Sequence, residues 1–355
     1  MLEKLSQYID KETFVKNVLE RVECNYGIIF DSFVSNKCNL HCSHCYFLDY
    51  RPTKAPLTLE RWDQIIDECI SCGIKHFHFS GKEPFCDERI FQLLSKLDLL
   101  QNEHNLFYGL VTNGTYIDSP KCNELLDTNI SYLEISLEGS SYYNNSIRGH
   151  KHFKIVNNLI NNIKNKHKIN ITSTVSNDNI ESLILMLSYM IKVGVTKFNI
   201  APLLFFKNNK LKSINDVDYK IMLDLITKCS NLLLDIKDHK EEIDIRICLS
   251  EKQAFELFTN ENILSDYIHK YIYDGKEFVL HIGNHILEIN FPLIYIPFLS
   301  QMVATNDGYI ISCADDIHYK NIDEIHLGNI DSESISQILE KRKKFITNFL
   351  IHKLH

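Results

Sequence analysis

The chain has 355 residues, 45% of them hydrophobic, and a net charge of -8 spread as interleaved Lys, Asp and Glu. That is enough apolar material for one large or two ordinary packed domains, and without a long basic run nucleic acid is not an expected partner. No stretch of about 18 uninterrupted apolar residues occurs, and the start, MLEKLSQYIDKETF, lacks the charged-then-apolar order of a signal peptide, so no membrane span is expected and the chain reads as cytoplasmic.

Residues 10–23 read as a helix within an N-terminal segment, 1–25. Beyond it, β-branched or aromatic runs alternate with helical patterns, the signature of a parallel sheet with crossover helices. The first strand, YGIIFDSFV at 26–34, leads straight into CNLHCSHCYF at 38–47. A helix over 58–73 carries Trp62, Ile65, Ile66, Cys69 and Ile70 on one face, with Thr58 as its cap and Gly73 as its stop. Strands follow at 75–81, 105–114, 130–139, 169–176 and 197–205, with helices at 86–103, 118–128, 152–165 and 180–194 between them. Six such units with right-handed crossovers predict a partial (β/α)6 TIM-like barrel over 26–240, its chemistry at the C-terminal ends of the strands. A long helical pattern at 214–238 closes that region, and a smaller α+β unit is expected over 241–355: IDIRICLS, EFVLHIG, ILEINFP and DGYIISC as short strands, then a helix at 332–349. Within that helix LEKRKKF reads as a solvated end.

Eleven cysteines without an export signal are expected to be reduced thiols. Cys38, Cys42 and Cys45 stand at intervals of four and three residues. Three thiolates on one loop can hold three irons of a cubane cluster and leave the fourth iron open to a ligand that is not protein. A structural zinc site would want four ligands, which His41 or His44 could complete, and the spacing alone leaves both readings open. Cys69 and Cys72, a CxxC pair in a helix, read as packing, as do the isolated Cys24, Cys86 and Cys122. His76 and His78 alternate with phenylalanines on a strand and read as satisfied interior histidines.

Placed directly after the first strand of a six-unit βα chain, the cysteine triplet resembles the signature of the radical S-adenosylmethionine (radical SAM) superfamily, with His44 where an aromatic residue is usual. Ser80-Gly81-Lys82-Glu83-Pro84, ending the second strand, resembles that family's Gly-Gly-Glu-Pro turn, whose backbone holds the cofactor's methionine amino group. Val111-Thr112-Asn113-Gly114-Thr115 matches its Thr-Asn-Gly turn after the third. Ser136-Leu137-Glu138-Gly139 with Arg148-Gly149 resembles the pair that holds the ribose hydroxyls and the methionine carboxylate. Ala201-Pro202-Leu203 lies where the family lines the adenine pocket. Two departures stand out. Lys82 replaces a glycine, which is harmless at negative φ and strained at positive φ, and Glu138 stands where Asp is common.

The resemblance implies one [4Fe-4S] cluster on Cys38, Cys42 and Cys45, with S-adenosylmethionine as second cofactor. It also implies a reducing partner such as flavodoxin or ferredoxin, and hydrogen abstraction from substrate by a 5′-deoxyadenosyl radical. Gly308 to Cys313 and Leu327-Gly328-Asn329-Ile330 resemble part of the SPASM extension, which carries auxiliary clusters in many such enzymes. Only Cys229, Cys248 and Cys313 follow residue 205, so this unit is expected to lack its metal. Without an auxiliary electron acceptor, a reaction that quenches the substrate radical internally is favoured: epimerisation, with Cys313 or Cys248 returning hydrogen and Asp315 or Asp316 as base or substrate anchor. The expected substrate is a peptide or a small molecule. Because only about 25 residues precede the barrel, a sugar or aminoglycoside dehydrogenase or epimerase stays open, and a zinc or Fe-S binding protein without turnover is the reading from another class.

Overall fold

The protein is described by a computed structural model over residues 11–25, 27–45, 47, 50–203, 217–260, 278–290, 296–313 and 326–354. Helix α1 (Lys11–Glu23) precedes β1 (Ile29–Ser32), α2 (Leu59–Ser71), β2 (His76–Phe79), α3 (Arg89–His104), β3 (Phe107–Thr112), α4 (Ser119–Leu126) and β4 (Tyr132–Ser136). Two helices, α5 (Ser141–Arg148) and α6 (His152–Asn162), lead to β5 (Ile169–Val175), α7 (Ile180–Val193), β6 (Lys197–Pro202) and α8 (Tyr219–Asp235). Strands β1 to β6 stand in sequence order, each parallel to its neighbour. Successive right-handed crossovers between adjacent strands place every crossover helix on the same side, as in a barrel wall.

Alternation along the strands then sorts the side chains. Phe30, Phe77, Phe79, Leu110, Leu133, Ile135, Ile171, Phe198 and Ile200 join the helices in one continuous apolar core. The residues between them, Asp31, His76, His78, Tyr132, Glu134, Asn170, Thr172 and Asn199, fall on the inner face. Tyr132 fits there because β3 offers Gly109 opposite it: a Cβ on Gly109 would lie 2.6 Å from the Tyr132 ring. The ring stacks on His78, and its hydroxyl is 2.8 Å from His78 Nδ1 and 3.2 Å from His76 Nε2. Burial holds both imidazoles neutral, at about 3 and about 4 respectively. The two histidines are thus satisfied interior groups.

The remaining described strands extend the same sheet at both edges. Strand β7 (Asp244–Cys248) pairs parallel to β6; after α9 (Glu251–Asn260), the hairpin of β8 (Phe278–Ile282) and β9 (His285–Asn290) joins through β9. The boundary expected at 240 therefore falls inside a continuous sheet. At the far edge β10 (Gln301–Ala304) lies parallel to β1, with β11 (Ile310–Ile311) antiparallel beside it. Helix α10 (Ile335–Leu354) follows. Its basic run is not wholly solvated, because Arg342 is fully buried and donates Nε to Phe298 O (2.7 Å) and Nη2 to Leu299 O (2.8 Å).

Candidate active site

The cysteine loop leaves β1 and is pinned from below. Phe33 and Phe47 pack edge to face, 4.8 Å between centroids, over Val303 of β10 and Ile311 of β11, and Cys45 and Tyr50 pack on the same cluster. Asp307, in the β10–β11 turn, takes the Tyr50 hydroxyl at 3.2 Å and the Thr53 amide at 2.8 Å. The C-terminal strands thus act as the bed of the loop that carries the thiols.

Cys42 is buried, Cys38 and Cys45 are half-buried, and none is in a disulfide. Burial pushes all three thiols up, Cys42 to about 11, and the Arg148 guanidinium pulls each one down. Cys38 Sγ accepts the Leu40 amide at 3.4 Å and stands 3.8 Å from Asn113 Nδ2. Three soft donors on one loop, met by N–H donors and a nearby cation, suit a cluster bearing negative charge. Among the described residues no three His, Cys, Asp or Glu are gathered as for a single metal ion. The histidines that would have completed a zinc set lie elsewhere: His41 is exposed, and His44 Nε2 is 3.4 Å from Glu138 Oε1. His44 Nδ1 and Ser43 Oγ are buried without a partner, orphaned polar atoms at the place a polar ligand would seat.

The strand-end turns converge on this loop. Gly81 has φ +102°, and a Cβ there would meet Phe33 at 3.1 Å, so any side chain at this position is strained and glycine is favoured. Lys82 is not among the residues with positive φ, and the departure from a second glycine costs the turn nothing. Glu83 is fully buried and looks inward to the protein: Oε1 takes the Thr112 hydroxyl (2.8 Å) and the Phe85 amide (3.2 Å), and Oε2 takes the Asn113 amide (2.8 Å). Its carboxylate welds the β2 turn to the β3 turn, although burial pushes its pKa up. Asn113 in turn donates Nδ2 to Asn39 Oδ1 at 2.9 Å, on the cysteine loop.

At the end of β4, Ser136 is buried and Glu138 is 1% exposed. Arg148 donates Nε to Glu138 Oε1 at 2.9 Å, and Nη2 reaches the same oxygen. Burial opposes ionisation of Glu138, but Arg148 and His44 outweigh it and hold the carboxyl well below the usual range. A small cleft of about 10 Å³ opens beside this pair, lined by His44, Glu138, Tyr143, Ile147, Thr174, Ser176 and Leu203. The structure thus brings Cys38, Cys42, Cys45, His44, Asn113, Glu138 and Arg148 to one end of the sheet, and Gly81, Lys82 and Glu83 form the adjoining turn. Cys248 ends β7, with the inward parity of Arg246 and one residue past the register pair Ile200 and Ile247. Cys313 follows β11 and is half-buried. Cys229 is fully buried in the core face of α8. Asp315 and Asp316 lie outside the described residues. Sequence reasoning missed Asn39, Asn144, His152 and Thr174, whose only local signal is a polar side chain beside apolar neighbours.

Residues 32–190 match the Radical SAM superfamily. That match covers a little under half of the chain. The chain is 26% identical over 106 residues to the PqqA peptide cyclase of Gluconobacter oxydans, a match spanning 30% of this chain and 28% of that protein. It is 30% identical over 122 residues to the Fe-coproporphyrin III synthase of Methanosarcina barkeri, spanning 33% of this chain and 29% of that one. The matches thus span under a third of each relative's length. In fold it resembles Streptococcus suis SuiB bound to its precursor peptide SuiA, with a TM-score of 0.65 at 16% identity over 96% of this chain and 70% of that one. It also resembles anSMEcpe with bound AdoMet, with a TM-score of 0.64 at 19% identity over 90% of this chain and 83% of the other. Among the described residues no helix is long and apolar enough to cross a membrane.

Proposed function

We propose that the chain is a radical SAM enzyme that modifies a peptide, with Cys38, Cys42 and Cys45 holding one [4Fe-4S] cluster and the adjoining turns holding S-adenosylmethionine. The observation that carries this reading is the convergence of three undisulfided thiols with Asn113, His44 and the Glu138–Arg148 pair at one sheet end. When bound, the two cofactors supply an electron and a 5′-deoxyadenosyl radical able to take hydrogen from a substrate. The chain's own contribution is binding and orientation. Arg148 offers its charge to a carboxylate while Glu138 holds the guanidinium in place, and the Gly81 turn leaves backbone free for an ammonium group. The substrate class draws on similarity to a peptide cyclase and to a fold seen with a precursor peptide. A flavodoxin or ferredoxin is the expected reductant.

For the outcome of the reaction, epimerisation is preferred. Burial raises the Cys248 thiol, so it stays protonated and suited to returning a hydrogen atom to a substrate carbon. Cys313, the first donor candidate from the sequence, is the alternative. A small polar substrate such as a sugar is the rival, favoured by the hydrogen-bonding inner face at Asn170, Thr172 and Asn199.

Anaerobic reconstitution with iron and sulfide, followed by dithionite and S-adenosylmethionine, tests the enzyme reading: 5′-deoxyadenosine should form. If it fails to form with or without substrates, the chain binds a metal or cluster without turnover. In heavy water, epimerisation predicts one deuterium at the inverted carbon, lost in Cys248→Ala.

A further inference from the structure

The β3 and β4 turns are joined by a chain of hydrogen bonds through Asn144 and His152, which lie outside the sequence motifs named above. The Glu138 amide donates to Asn144 Oδ1 at 2.9 Å, Asn144 Nδ2 is 2.9 Å from His152 Nδ1, and His152 Nε2 is 2.9 Å from the Asn113 carbonyl. The polarity of each link dictates the next. A carbonyl can only accept, so His152 Nε2 carries the proton. Nδ1 is then a bare acceptor, and the Asn144 amide must donate to it, which leaves Oδ1 facing the Glu138 amide. Asn144 is fully buried and His152 is 2% exposed, so no water can stand in for either. Asn113 is also tied to Glu83 and Asn39 and stands beside Cys38. The relay therefore runs from the turn holding Arg148's partner to the turn touching the cysteine loop.

We infer that His152 and Asn144 are positioning residues for the cofactor site, fixing the separation and orientation of the Asn113 and Glu138 turns that would hold S-adenosylmethionine. This rests on the reading of the site given above. A role in packing alone would depend on side-chain volume, whereas a relay depends on the direction of each hydrogen bond. The charged groups facing His152 are Arg148 on α5 and Glu138 in the β4 turn. Burial and then Arg148 push its pKa down to about 4 against the opposing pull of the Asn113 carbonyl and Glu138, so the polarity is constant across neutral pH.

The test uses the full chain, reconstituted with iron and sulfide, with S-adenosylmethionine affinity measured by equilibrium dialysis. Iron content, thermal midpoint and the electron paramagnetic resonance of the reduced cluster are followed with it. His152→Leu keeps volume and loses both bonds; affinity should fall about tenfold with iron content unchanged. His152→Gln keeps a donor toward Asn113 and should stay within about threefold of wild type. Asn144→Asp is the decisive variant, and it stands if His152→Leu fails to fold. Its new carboxylate can only accept, so His152 must carry protons on both nitrogens to satisfy it and Asn113 together. Affinity should then be near wild type at about pH 6 and fall severalfold by about pH 8.5, while wild type stays flat. If wild type binds S-adenosylmethionine and these variants bind it equally well at every pH, the relay is overturned and the site reading stands. If wild type holds its irons yet binds no S-adenosylmethionine, the site reading and this inference fall together.

Discussion

Arg148 commits both Nε and Nη2 to one oxygen of Glu138, while the other oxygen takes the Thr174 amide at 2.6 Å. This is a nearly solvent-free ion pair, so removing one partner strands the other. Arg148→Met is expected to lower the unfolding free energy of the apo chain by about 3 to 5 kcal/mol in urea titration, and adding Glu138→Gln should recover much of that. The carboxyl lies below its ordinary 4.5 in the folded chain, so its contribution is present above that value and lost as pH falls. Wild type should therefore unfold more steeply in acid than the double variant.

The three loop thiols are expected to act as one ligand set. Alanine at Cys38, Cys42 or Cys45 should drop reconstituted iron from about four per chain toward none. Alanine at Cys248 or Cys313 should leave it unchanged. A colorimetric iron assay on desalted protein distinguishes the two groups, and about eight irons in wild type would require a second cluster.

Gly81 and Lys82 make neighbouring substitutions unequal. Gly81→Ala places a Cβ at positive φ against Phe33 and should cost about 1 to 3 kcal/mol in unfolding free energy. Lys82→Ala, where φ is not positive, should cost little by the same measurement.

Asp31 is 2% exposed on the inner face, accepts the Ser80 hydroxyl at 2.6 Å, and leaves Oδ1 without a partner. Burial raises its pKa from 3.8 to about 7. The unfolded chain ionises this group first, so the stability it lends at low pH is lost as pH rises from about 4 through about 7. Asp31→Asn should therefore raise the thermal midpoint at pH 8 and leave it nearly unchanged at pH 4, with about 4 kcal/mol as the upper limit of the gain.

Asp307 ties the segment after the cysteines to the β10–β11 turn through Tyr50, Thr53 and the Lys54 amide, 3.3 Å away. Asp307→Ala should speed amide hydrogen exchange at residues 53 and 54 at least tenfold without global unfolding. Unchanged exchange there would mean the Phe33–Phe47 contact suffices.

Much of the fold was legible because it is written locally. Period-two strands, capped amphipathic helices and glycine-bearing turns reveal themselves within ten residues or so, and β1 to β6 follow that reading closely. Strand β10 was missed because Gln301–Ala304 is short and becomes a strand only through its pairing with Ile29–Ser32, far away along the chain. Helix α5 was missed because SYYNNSIR has weak helix propensity, yet it places Arg148 against Glu138.

By itself the sequence determined the cysteine triplet, the order of the turns that accompany it and the parallel βα repeat, because spacing and periodicity are properties of neighbouring residues. Tertiary structure alone decided that Glu83 faces the Asn113 turn rather than open space, that the C-terminal strands bed the cysteine loop, and that Asn144 and His152 link Glu138 to Asn113. The reason is physical: a hydrogen bond has a fixed reach and direction, and which donor meets which acceptor is settled only when the sheet brings separate strand ends together.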